Sequence, residues 1–169
     1  MVQSYSKADK LSEFCFMSQG EPNKISFHYL VKPFFFPKRK KLKAFLTRQL
    51  ANYEKPLEVL SYIFCDDAYL LQINQRYLKH DTYTDIVTFE LSEAGKPLVA
   101  DVYISVERVR ENAKTFKVSF QDEVLRVIFH GALHLAGLKD KTALEKKAMR
   151  EAESAWLSSF TISRETVST

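Results

Sequence analysis

The stretch VIFHGALHLAGLKD, Val127–Asp140, constrains the fold more than any other part of the chain. Wound as an α-helix from Ser119 to Gly137, it carries Val124, Leu125, Ile128, Phe129, Ala132, Leu135 and Ala136 on one side. Glu123, Arg126, His130, His134 and Gly137 form a single stripe on the other. Such a helix is buried on its back and polar only along the histidine stripe, so it belongs at the centre of a domain. His130 and His134 stand at i and i+4, one turn apart on one face. Gly137 can take the left-handed conformation that ends a helix, and Asp140 follows three residues later. Two imidazoles from a helix and one carboxylate from the next turn make a three-ligand site with an open position. That is the layout of catalytic rather than structural zinc, and it predicts one Zn2+ per chain. The competing reading of the same residues is a hydrogen-bonded histidine pair with Asp140 as a surface turn residue.

The zinc peptidase pattern H-E-x-x-H places its general base directly after the first histidine. Gly131 stands there instead. In a peptidase of this geometry, Glu123 or Glu145 would have to reach the water.

Around the central helix, strands and helices alternate. Strands are predicted at Lys24–Val31, Leu57–Cys65, Asp85–Leu91 and Leu98–Ile104. A short Glu-Ala-Gly-Lys-Pro connection makes the last two an antiparallel hairpin. Helices are predicted over Lys41–Tyr53, from an Asp66 cap to about Arg76, and from a Ser105 cap through Phe116. A final helix follows a Thr142–Glu145 capping box, with Leu144, Ala148, Met149, Ala152, Ala155 and Trp156 on its apolar face. About four strands and five helices give an α+β fold, three-layer α/β-like, with a small mixed sheet. Residues 1–23 read as an arm, 24–160 as one domain and 161–169 as a tail.

Composition agrees. A chain of 169 residues, 46% hydrophobic and 27% charged, can bury a core without staples. No segment approaches the ~20 apolar residues that cross a bilayer, and the N-terminal apolar patch is too short for a signal-peptide core. Two cysteines, Cys15 and Cys65, exclude a disulfide scaffold or a Cys-rich zinc ribbon, and a reducing cytoplasm fits them. Lys and Arg number 25 against 21 Asp and Glu, a formal charge of +4 that leans weakly towards polyanionic partners.

HGALHLAGLKD resembles the H-G-x-L-H-L-x-G-x-D-H signature of the YbeY family, metal-dependent endoribonucleases implicated in rRNA maturation. INQRYLKHDTYTDIVTFEL is similar to that family's L-N-x-x-Y-R-x-K-D-x-P-T-D-V-L-S-F, and ADVYIS to its G-D-I-x-I-S. Glu145, Met149 and Glu153 fall where its last helix carries E…M…E. The matches run in family order from Ile73 to Glu153. The resemblance implies a catalytic domain that cuts single-stranded RNA in rRNA maturation and ribosome quality control. It further implies a cytoplasmic monomer whose partner is the ribosome or a ribosomal protein. The alternatives are a zinc metallopeptidase and a non-catalytic ribosome-associated module with a structural metal. The chain departs from the pattern in five places. Asp140 stands for the usual third histidine, Leu78 for the family Arg, His80 for its Lys, Tyr83 for its Pro and Ala100 for its Gly. An anionic third ligand leaves a metal less electrophilic than a third imidazole would.

His80 and Asp85, in the polar KHDTYTD loop, are the candidate catalytic groups. His80 suits phosphate donation or acid–base work near neutral pH, and Asp85 suits orienting a ligand or capping a turn. Candidate RNA-binding residues are Arg76 and Lys79 beside Leu78, Lys139 and Lys141 flanking Asp140, and Lys38, Arg39, Lys40 and Lys41 of the run PKRKKLK. Of Phe34, Phe35 and Phe36, two are expected in the core. Asp101 reads as a backbone-pairing group and His28 as an outward residue.

Overall fold

A computed structural model describes residues 24–36, 38–78 and 82–162. Along them run β1 (Ile25–Tyr29), α1 (Arg39–Asn52), β2 (Leu57–Cys65), α2 (Asp67–Ile73) and a π-helical turn (Asn74–Leu78). There follow β3 (Ile86–Glu90), β4 (Leu98–Ser105), α3 (Val106–Phe116), α4 (Phe120–Leu135) and α5 (Ala143–Ile162). The sheet order is β1-β2-β4-β3. β1–β2 and β2–β4 are parallel, and β3–β4 is the expected antiparallel hairpin, with Val87 opposite Tyr103 and Phe89 opposite Asp101. A parallel strand covered on both faces reads as a continuous apolar run, and β2 is buried without a break from Leu60 to Cys65.

Alternate residues of β2 and β4 serve two cores. Leu60, Tyr62, Phe64, Ala100, Val102 and Ile104 pack with α1, α4 and α5. Ile63, Cys65 and Tyr103 join Val87, Phe89, Leu70 and Ile73 on the other face. The mixed four-stranded sheet between helical layers is the α+β architecture expected. Behind α4, the rings of Phe45, Phe129, Trp156 and Phe160 meet at 5.3–5.9 Å, joining α1, α4 and α5. Phe36 is buried and Phe34 packs on Phe64, while Phe35 is exposed, so two of the three phenylalanines do reach the core.

The helix starts follow their side chains. Asp66 accepts the Tyr69 N–H at 2.8 Å, Ser105 the Arg108 N–H at 3.2 Å and Ser119 the Asp122 N–H at 3.1 Å. Thr142 and Glu145 cap each other's backbone at 2.8 and 3.2 Å. Several boundaries differ from expectation by two or three residues, three of them for a tertiary reason. α1 starts at Arg39, behind a left-handed Lys38 (φ 61°) with no side-chain cap. Burial of Leu42, Phe45, Leu46 and Leu50 holds that helix, and packing overrides the missing local signal. The helix after Asp66 stops at Ile73 and widens into the π-helical turn, where buried Asn74 donates to the Thr82 carbonyl at 2.7 Å. α5 continues through Ile162, two residues into the stretch read as tail, with Phe160 anchoring its last turns in the core.

Gly131 sits where α4 crosses β3 and β4. A Cβ there would stand 2.8 Å from Ile86 Cδ1 and 3.0 Å from Val102 Cγ1. Gly131→Leu is therefore expected to lower stability by about 1–2 kcal/mol in urea unfolding, overpacking outweighing the better helix propensity. Cys65 is fully buried, and burial, then the charges of Asp66, Asp67 and Glu107, push its thiol up to about 12. In the native protein at pH 8, iodoacetamide should leave the Cys65 peptide unmodified, and denaturant should expose it; peptide mass spectrometry reads both.

Candidate metal centre

His130 and His134 leave α4 with ring centroids 4.4 Å apart and nearly perpendicular planes. Their Nε2 atoms face each other at 3.0 Å. His134 Nδ1 lies 2.9 Å from the Leu138 carbonyl oxygen, which can only accept. In the neutral ring the proton therefore sits on Nδ1, and Nε2 presents a bare lone pair. His130 Nδ1 lies 2.6 Å from Glu153 Oε1, and the same logic turns its Nε2 lone pair inward. Burial, then the neighbouring His130, lowers the pKa of His134 below its ordinary value and favours the neutral, ligating ring. Asp140 Oδ2 completes the group, 3.9 Å from His130 Nε2 and 3.7 Å from His134 Nε2.

These three side chains could hold a metal ion. The edge of a tetrahedral zinc site with bonds of 2.0–2.1 Å is about 3.3 Å. The three observed separations straddle that value. Two neutral imidazoles and a carboxylate are a borderline-to-hard donor set suited to a divalent ion, and they leave one side open.

The chain behind α4 explains the convergence. Leu138 N–H bonds Leu133 O at 3.0 Å and Gly137 N–H bonds His134 O at 2.9 Å, with Gly137 at φ 102°. This Schellman ending needs a residue tolerant of positive φ. It folds the Leu138 carbonyl back onto His134 and carries Asp140 over the rings. α5 then returns along α4 and delivers Glu153 to His130.

Charged side chains gather beside the pair. Arg126 grips Glu123 through Nε at 2.9 Å and Nη2 at 2.7 Å. Its Nη1 lies 3.5 Å from Glu153 Oε2 and its Nη2 3.6 Å from Asp85 Oδ2. Burial works against the guanidinium charge, but the hydrogen bonds it donates to Glu123 and the charges of Glu123, Glu153 and Asp85 raise its pKa above the ordinary value. Asp85 also accepts from Asn112 Nδ2 at 3.2 Å.

His130, His134 and Asp140 line one end of a cleft of about 310 Å³ whose wall includes Asn74, Thr82, Thr84, Asp85 and Thr88. Lys139 and Lys141 are exposed on either side of Asp140. Arg76 is exposed on the π-helical turn, its guanidinium over the Tyr77 ring at 5.5 Å. Lys79 and His80 lie outside the described residues. Lys38, Arg39, Lys40 and Lys41 are not brought to this cleft. They open α1 over the β1 edge, where Arg39 donates to Tyr29 Oη at 2.8 Å and Lys41 Nζ lies 5.9 Å from the Phe160 ring. The cleft lies by β3, at the opposite edge of the sheet. His28 is half-buried, with Nε2 2.8 Å from Ser26 Oγ.

Two side chains that hold the site together, Arg126 and Glu153, were named from the sequence without a role. Arg126 was visible on the histidine stripe. Glu153 stands between Met149 and Trp156 on the apolar face of α5, and a carboxylate at such a position is the signal that a buried cation or imidazole awaits it.

The family model described as endoribonuclease YbeY matches residues 37–161. The chain belongs to this family. A relative named endoribonuclease YbeY from Flavobacterium psychrophilum is 52% identical over 101 residues, 60% of this chain and 71% of the relative. That of Christiangramia forsetii is 40% identical over 144 residues, covering 85% and 97%. That of Bacteroides thetaiotaomicron is 42% identical over 116 residues, covering 69% and 84%. The solution structure of TM1509 from Thermotoga maritima is 24% identical, with a TM-score of 0.54 over 84% of this chain and 92% of that one. That last likeness is one of fold.

Glu153→Ala should weaken metal binding about 10–100-fold by freeing the His130 ring, with competition against a chromophoric chelator as the measurement. An unchanged dissociation constant would mean that Glu153 does not hold the ligand.

Proposed function

We propose that the protein is a zinc-dependent endoribonuclease that cuts single-stranded RNA in the cytoplasm, in rRNA maturation and ribosome quality control. Membership of the YbeY family supports the substrate class. One observation carries the metal dependence: two imidazole lone pairs 3.0 Å apart, each fixed from behind, beside a carboxylate. His130, His134 and Asp140 would hold one ion per chain. A divalent ion in that position supplies Lewis acidity towards a phosphodiester oxygen.

The chain's own residues do the rest. Glu153 and the Leu138 carbonyl keep both rings in the tautomer that turns Nε2 inward. Lys139 and Lys141 draw the phosphate backbone to the rim beside Asp140, and Arg76 and Lys79 are the further cations assigned to that attraction. The hydroxyls of Thr82, Thr84 and Thr88 line the cleft for sugar and phosphate oxygens. His80 is the group assigned to phosphate donation or acid–base work, and Asp85, beside Arg126 and Asn112, is assigned to orienting its neighbours. Lys38, Arg39, Lys40 and Lys41 form a separate basic edge for longer RNA or a ribosomal surface.

The peptidase reading lacks a base. A side chain at Gly131 would collide with β3 and β4, Glu123 is clamped by Arg126, and Glu145 accepts the N–H groups of Lys141 and Thr142 at 3.1 and 2.8 Å.

The decisive measurement pairs metal content with cleavage of single-stranded RNA for wild type, His134→Ala and Asp140→Ala. Both variants should remain folded by circular dichroism, lose zinc and cut at least about 100-fold more slowly. Zinc-free, folded variants that cut at the wild-type rate would sink the proposal. Cleavage of peptides but not RNA would transfer it to the peptidase reading, and unfolding on metal removal to the structural one.

A further inference from the structure

Tyr83 is a large aromatic side chain left 58% exposed, and it sits between Thr82 and Thr84, both of which line the metal cleft. No other exposed aromatic ring among the described residues has that position. The opposite end of the ring's environment is built. Arg108 places its guanidinium 4.7 Å from the ring centroid. That guanidinium is paired with two carboxylates, its Nε 2.9 Å from Asp67 Oδ2 and its Nη1 donating to Glu111 Oε2 at 3.0 Å. Asp67 also takes a hydrogen bond from the Ser105 hydroxyl.

The backbone carrying Tyr83 is pinned on both sides. Buried Asn74 donates to the Thr82 carbonyl at 2.7 Å, and the Ser105 N–H donates to the Asp85 carbonyl at 2.9 Å. The Thr84 hydroxyl donates to the Ile86 carbonyl at 3.2 Å. The ring thus rests on a guanidinium and remains more than half exposed, on a backbone held beside the cleft. A ring held this way binds a flat partner with little further loss of freedom. An unpaired nucleobase is such a partner, and stacking on a fixed aromatic side chain is how single-stranded RNA is gripped without duplex geometry.

We propose that Tyr83 is a base-stacking platform beside the metal centre, taking one unpaired nucleobase of the RNA and so placing the backbone across the cleft. This rests on the ribonuclease reading above. It also gives that reading a physical reason for single-strand preference, since a base inside a duplex has no free face to offer.

The test uses metal-loaded wild type, Tyr83→Leu and Tyr83→Phe with short single-stranded RNAs, each carrying one abasic nucleotide at a different position. For wild type, one abasic position should raise KM about 5- to 100-fold, the range of a lost base stack. Tyr83→Leu should show the same rise on intact RNA and no further rise at that position, with kcat within about 3-fold of wild type. Tyr83→Phe should behave as wild type, which a role for the hydroxyl would not allow. Tyr83→Leu with an unchanged KM, or one that still discriminates that abasic RNA, would overturn the platform and leave the ribonuclease reading standing. A wild type that cuts no single-stranded RNA would remove both.

Discussion

Two imidazole Nε2 atoms stand 3.0 Å apart, and a chain free to relax could rotate one ring away. The domain is built so that neither ring can. The Leu138 carbonyl holds one from behind and Glu153 the other. Each of those acceptors is itself fixed, Leu138 by a helix ending that only a residue tolerant of positive φ completes, Glu153 by burial in α5 against α4. The aromatic cluster on the far side of α4 keeps the two helices from separating. What remains is a concentration of electron density that a cation relieves, and the third ligand arrives from the same turn that fixed the first ring.

Arg126 plays the opposite part. It gathers Glu123, Asp85 and Glu153 around one guanidinium, so three carboxylates of one neighbourhood are balanced by a single fixed cation. Networks of this kind add little net stability, because desolvation offsets the attraction. Their effect is geometric. The fork of Arg126 places Glu153 in line with His130 and ties the cleft wall at Asp85 to the helix that bears the ligands.

Much of this could be read from residues alone. The histidine stripe, its glycine ending and the distance to Asp140 are local features, and a helix converts spacing into geometry almost without ambiguity. Caps at Asp66, Ser105, Ser119 and Thr142 were legible for the same reason. What the sequence could not give was the assignment of partners across elements. Glu153 lies 23 positions beyond His130, and only the packing of α5 on α4 joins them. The basic run 38–41 reads as an RNA-binding surface, but only the strand order, with β1 and β3 at opposite edges, shows how far it stands from the cleft. The uncapped start of α1 and the π-helical turn at Asn74 escaped because tertiary contacts, not propensity, set them.

The order in which the ribosome releases this chain gives the late position of α5 a meaning of its own. A nascent polypeptide that has emerged only as far as Asp140 owns both histidines and the acid, yet lacks the helix that aims His130 and the rings that brace α4. Such a half-made chain has ligands without a ligand geometry. The ligand geometry is thus completed only when α5 is free to pack on α4.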